Sequence, residues 1–119
     1  MPALQEQHAR MVAELKKDPI EIPLYMTARD YDLIHMVMGI CGEAGELLDA
    51  IKKSVIYNRP LDRENVIEEL GDIEFYMQGL RESLLIDRQE TLQHNITKLR
   101  TRYGSEYSDQ AAQERADKA

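Results

Sequence analysis

Apolar positions recur with a helical period along most of the chain, and four prolines and six glycines leave long stretches unbroken. A first amphipathic stretch covers about residues 3–17 and stops at Asp18-Pro19. Residues 20–26, with Pro23 among them, read as an extended linker. Thr27 and Asp30 then form a Ser/Thr-x-x-acid capping pattern. After it come Leu33, Val37, Ile40, Ala44, Leu47, Ile51 and Val55, whose steps of three and four residues predict a long helix ending near Ile56. Asn58-Arg59-Pro60 reads as a turn and Asp62 as the next N-cap, with Leu61 and Val66 spaced as a hydrophobic staple. Val66, Leu70, Ile73, Met77, Leu80 and Leu84 form a second stripe. Asp87 and Glu90 repeat the capping logic for a further helix, with Leu92, Ile96 and Leu99 on its core face and Gly104 as its stop. Residues 105–119 read as a tail or one more short helix. No segment has a strand pattern. The expected class is therefore all-α, a small bundle in one domain (1–119) with an N-terminal helix and linker (1–26) and a helical core (27–104).

Composition narrows the partners. Fifteen Lys plus Arg against 22 Asp plus Glu give a net charge of −7. Nucleic-acid affinity comes largely from cations that neutralise phosphates, so a nucleic-acid polymer is not an expected partner. A small polyanion remains compatible if divalent cations accompany it. The single cysteine, Cys41, forms no internal disulfide, and no apolar run approaches the roughly 20 residues that span a bilayer. The first residues lack a signal-peptide core. A soluble, cytoplasmic protein without membrane partners is the expectation.

The amphipathic pattern does not require all of the acids. Glu43 and Glu46 lie three residues apart on the long helix, and Glu69 and Asp72 three apart on the next. At ~100° per residue each pair shares one side of its helix, close to the apolar stripe. Two antiparallel helices joined by a short turn would bring the four carboxylates to one seam. Such a cluster must hold protons or a cation, and an all-oxygen set without His or Cys suits Mg²⁺, with Mn²⁺ as a substitute. The plainer reading is four solvated helix residues, since a chain with 22 acids contains such spacings by chance. Gly42, Gly45 and Gly71 stand beside the acids and would allow close helix approach, at a cost of ~1 kcal/mol each relative to Ala.

The segments Gly42-Glu43-Ala44-Gly45-Glu46-Leu47, Ile51-Lys52-Lys53 and Glu68-Glu69-Leu70-Gly71-Asp72-Ile73 resemble the MazG-like nucleotide pyrophosphohydrolases of the all-α NTP pyrophosphatase superfamily. That family's signature is an ExxE pair and an ExxD pair on a helix–turn–helix, here separated by 22 residues. The stretch from Asn95 to Gly104 also resembles the N-x-x-K-L-x-x-R-Y segment of small members, and the likeness covers about residues 28–116. The chain departs from the pattern at Glu74-Phe75-Tyr76, where many relatives are more apolar, and residues 18–26 have no counterpart.

The resemblance implies hydrolysis of a nucleoside triphosphate, usually a deoxy one, at the α–β phosphoanhydride to monophosphate and pyrophosphate. Glu43, Glu46, Glu69 and Asp72 would be the catalytic acids holding Mg²⁺, with one glutamate orienting the attacking water. It also implies a homodimer or homotetramer. Asn95, Lys98 and Arg102 share one helical face, and with the resemblance they read as contacts to sugar or base and to the triphosphate. Lys53 suits either phosphate or the helix dipole. Tyr76 suits either a base-lining position or the core. Met36 and Met38 read as core or interface filler. Asp32 and His35 form one D-x-x-H without a second such pair, which argues against a di-iron bundle. The competing class is a non-catalytic helical protein that dimerises through the apolar stripes or binds nucleotide without cleaving it.

Overall fold

A computed structural model describes residues 1–104 and 106–114. They form α1 (Leu4–Leu15), α2 (Ile22–Tyr25), α3 (Ala28–Val55), α4 (Arg63–Leu84), α5 (Arg88–Tyr103) and α6 (Asp109–Glu114), with no strand among the described residues. The expected tail is thus partly the short helix α6; Ser105 and residues 115–119 lie outside the described residues. No helix among them is long and apolar enough to cross a membrane.

The chain divides into two compact units, Met1–Tyr31 and a second that begins at Asp32. In the first, α1 is amphipathic, and Leu4, Met11, Val12 and Leu15 are exposed. The linker expected to be extended contains one helical turn instead. Pro23 falls in the first turn of α2, where a missing N–H costs nothing. Thr27 and Asp30 form the anticipated capping box. The Thr27 N–H donates to Asp30 Oδ2 (2.9 Å) and the Asp30 N–H donates to Thr27 Oγ1 (3.2 Å). These bonds hold the Asp30 carboxyl below its ordinary range.

In the second unit, α3 turns into α4 at Asn58, whose φ of 51° is left-handed. The Ser54 hydroxyl donates to the Arg59 carbonyl (2.8 Å) and steadies that turn. Asp62 caps α4 by accepting from the Asn65 N–H at 3.1 Å. The two helices run antiparallel in a register fixed by three contacts. The Ser83 hydroxyl donates to Asp32, Met36 lies against Gly79, and the Tyr76 ring lies against Gly39. Each step of three or four residues up α3 matches the same step down α4. Continued, the register brings Glu43 of α3 to Glu69 and Asp72 of α4.

This seam differs from the one the apolar stripes suggest. On both helices the stripe falls one residue beyond the contact position, ~100° further round. Gly39 and Gly79 decide the matter. A Cβ on Gly39 would overlap three ring carbons of Tyr76, and one on Gly79 would stand 2.5 Å from Met36 Sδ. Backbone approach at these two glycines fixes the contact face, whereas Gly42, Gly45 and Gly71 have nothing within 4 Å of an added Cβ. Because the helices are antiparallel, equal offsets put both stripes on one side of the hairpin. That side is incompletely covered: Val37 is 45 %, Ile51 38 %, Val55 70 % and Leu70 49 % exposed. Ala50 is the only buried apolar residue among those described.

Helix α4 ends at Leu85, which is left-handed (φ 56°), with the Ile86 N–H bonded to the Arg81 carbonyl. An ion pair of 3.9 Å between Arg88 and Glu74 ties the start of α5 to α4. Asp87 caps α5 through the Gln89 N–H (2.9 Å), and Gly104 (φ 67°) ends it as anticipated. Leu92, Ile96 and Leu99, expected in a core, are exposed instead; Ile96 and Leu99 line a concavity closed by Gly104, Glu106 and Tyr107, just after α5.

Candidate metal centre

Helix α3 supplies Glu43 and Glu46, and α4 supplies Glu69 and Asp72. The antiparallel register turns two sequence pairs into one cluster. Glu43, Glu69 and Asp72 each offer an oxygen within 4.8 Å of the others, and Glu43 and Glu69 are half-buried while Asp72 is exposed. Glu46 lies outside that group of three, one turn from Glu43, and its charge still acts on Glu69.

Electrostatics follow from the crowding. Oε2 of Glu69 is closed off from solvent with no donor facing it among the described residues. The Glu69 carboxyl is pushed up from 4.5 to about 7, first by a hydrogen bond with Glu43, then by burial and by the charges of Glu43, Asp72 and Glu46. In the absence of a cation Glu69 therefore keeps its proton to higher pH than an ordinary carboxyl. A divalent cation can replace that proton. Oxygens bound to one such ion lie no more than about 4–5 Å apart, twice a metal–oxygen bond, and the three oxygens of Glu43, Glu69 and Asp72 meet that limit. The all-carboxylate donor set and the orphaned Glu69 oxygen fit a hard divalent ion.

The remaining candidates are distributed as follows. Tyr76, one turn beyond Asp72, is half-buried against Gly39, with its ring 6.2 Å from that of His35. Lys53 is exposed and pairs with Asp49 at 2.9 Å, which raises its proton affinity. On α5, Lys98 is exposed, and the Arg102 guanidinium lies 5.8 Å from the centre of the Tyr103 ring. Asn95 lines a concavity of about 280 Å³ between α5 and the residues just after it, with Arg100, Tyr103 and Tyr107 among its walls. The structure thus unites three of the four acids and keeps the fourth within electrostatic reach, with Tyr76 one helical turn from Asp72. Sequence spacing missed Gly39 and Gly79, which create the seam; two helical glycines without an acid neighbour gave no chemical signal. It also missed Arg81, the one buried charged residue among those described, which takes Gln78 as a hydrogen-bond partner at 3.2 Å.

Comparison with known proteins agrees with this geometry. Residues 33–105, which contain all four acids and the α5 candidates, match the MazG nucleotide pyrophosphohydrolase domain. The chain is also similar to the Gene 37 protein of Mycobacterium phage L5, with 33 % identity over 89 residues, covering 66 % of this chain and 76 % of that protein. No solved structure matches. The chain therefore belongs to the MazG nucleotide pyrophosphohydrolase family.

Proposed function

We propose that the protein hydrolyses a nucleoside triphosphate, of the deoxy class, between the α and β phosphorus atoms, releasing a nucleoside monophosphate and pyrophosphate. The observation that carries this reading is the carboxylate cluster across the α3–α4 seam, in a chain of a pyrophosphohydrolase family. Glu43, Glu46, Glu69 and Asp72 would hold Mg²⁺, with Mn²⁺ as a substitute. The bound ion would neutralise phosphate oxygens and acidify the attacking water. The protein's own part is to present carboxylates on two rigid helices, to release the Glu69 proton as the ion enters, and to orient the water through one glutamate. Tyr76 would wall the base side. Lys53, Lys98 and Arg102 would meet the triphosphate and Asn95 the sugar or base; the exposure of Lys53 and Lys98 supports their part.

The half-covered stripes support a homodimer or homotetramer, because a second copy offers the same apolar side in return. They equally suit a non-catalytic helical dimer, which has no use for the acid cluster. Pyrophosphate release from a panel of common and modified dNTPs and NTPs, with Mg²⁺ and with EDTA, separates the two. Metal-dependent release from some of them supports the enzyme; silence across the panel from helical, folded protein supports the binding protein.

A further inference from the structure

The covered side of the α3–α4 hairpin continues past the acids toward the turn. On α3 it passes from Glu43 through Leu47 to Ala50, and on α4 from Tyr76 through Glu69 to Asn65. Ala50 is buried and the other five are half-buried. Steps of three, four and seven residues keep each set on one side of its helix. Asn65 therefore lies one turn from Glu69, about 6 Å along α4. The α4 cap makes no use of its side chain. Asp62 accepts from the Asn65 backbone N–H, and the amide group has no hydrogen bond to any described residue. This third position of a helix is where Glu or Gln reaches back to the cap, and asparagine is the poorer helix former, so local structure gives no reason for it here. Charge is also uneven along the hairpin. Of the five Lys and Arg between residues 32 and 85, Arg81 is buried at the far end, whereas Lys52, Lys53, Arg59 and Arg63 are exposed about the α3–α4 turn.

We infer that Asn65 holds the pyrophosphate half of the substrate, its amide N–H donating to an oxygen of the β- or γ-phosphate, so that the triphosphate lies along the seam with its γ end toward the α3–α4 turn. This deepens the proposed function and rests on it. A triphosphate carries more negative charge than one divalent ion offsets, and the excess is greatest at the γ end. The exposed cations draw that end to the turn. Asn65 stands between them and the acids. An amide suits that place better than an ammonium group. It offers two N–H donors without a positive charge that would compete with the metal ion for the carboxylates.

The test is equilibrium binding of pyrophosphate, and separately of the four dNMPs, in Mg²⁺. Wild type, Asn65→Ala and Asn65→Leu are compared, with a thermal melt recorded for each. Both variants keep the backbone N–H that Asp62 caps and both are better helix formers, so neither should melt below wild type; Leu also keeps the size of the side chain. Each is expected to weaken pyrophosphate about ten-fold, the loss of one hydrogen bond to a charged group, and to leave the tightest dNMP within about two-fold. A loss confined to the dNMP would reverse the direction of the substrate and overturn the assignment. Equal losses for both ligands would make Asn65 a support of the metal or the fold, and no loss for either would make it a bystander; each of these also overturns it. If wild type binds pyrophosphate with the expected Asn65 dependence but releases none from dNTPs, the hydrolysis reading fails and the assignment of Asn65 stands. If wild type binds no pyrophosphate, the assignment falls.

Discussion

The glycines of the hairpin make opposite demands on an added methyl group. Gly45→Ala adds a Cβ that meets nothing within 4 Å, so it should gain the helix-propensity difference of about 1 kcal/mol. Gly39→Ala adds a Cβ that overlaps the Tyr76 ring as far in as Cγ, the ring atom that side-chain rotation moves least. Overpacking of this kind costs about 1–3 kcal/mol, against which the same propensity gain of about 1 kcal/mol is set. The two variants should therefore differ by about 1–3 kcal/mol, with Gly45→Ala the more stable. At about 4 °C per kcal/mol for a chain of this size, the gap is about 4–12 °C in melting temperature. Gly79→Ala should fall between them, because the Met36 thioether can swing aside. Far-UV circular dichroism melts in metal-free buffer measure all three. A Gly39→Ala protein that melts at or above Gly45→Ala would refute the seam, and with it the register that gathers the acids.

Other expectations concern charge, caps and assembly. Since folding raises the Glu69 carboxyl from 4.5 to about 7, its stabilising proton is fully present below 4.5 and lost as pH rises through 7. Metal-free wild type should accordingly lose melting temperature across that interval relative to Glu69→Gln, and a divalent cation should restore it above pH 7; parallel curves for the two proteins would count against the retained proton. Asp62→Ala removes the α4 cap and should cost about 1 kcal/mol in a thermal melt, with metal binding unchanged. Lys53→Ala breaks only an exposed pair with Asp49 and should change stability by less than about 0.5 kcal/mol, so a raised KM in this variant would report a phosphate contact. Sedimentation should show an assembly larger than 13.8 kDa, and Leu70→Asp, on the half-covered stripe, should shift it toward monomer; a wild-type monomer would remove the second copy from the account.

Local chemistry was legible in the sequence. The Thr27–Asp30 box, the Asp62 cap and the Gly104 stop each depend on residues within four positions, so their hydrogen bonds appear where the spacing puts them. The meeting of three of the acids was legible for a related reason, since the short turn at residues 56–62 limits the register of the two antiparallel helices. The contact face was not. An apolar stripe marks the side of a helix that gains from cover, but not which neighbour provides it, and here close approach at Gly39 and Gly79 selects the adjoining face. Leu92, Ile96 and Leu99 differ for the same reason: their pattern marks a side that gains from cover, and among the described residues only a shallow concavity with Gly104, Glu106 and Tyr107 adjoins Ile96 and Leu99. Residues 20–26, which read as an extended linker, hold the one-turn α2 because Pro23 stands in its first turn, where proline is tolerated.

The central claim is that carboxylates from α3 and α4 hold a divalent cation that cleaves a triphosphate at its α–β bond. Its most direct test follows the products from the best dNTP for wild type and Glu69→Gln, in Mg²⁺ and in EDTA. The account predicts nucleoside monophosphate and pyrophosphate in equal amounts from wild type with Mg²⁺, none with EDTA, and at least a hundred-fold slower release from a folded Glu69→Gln, on the order of the loss when one catalytic group is removed. Full turnover by Glu69→Gln, release that persists in EDTA, or diphosphate and inorganic phosphate as the products would contradict it.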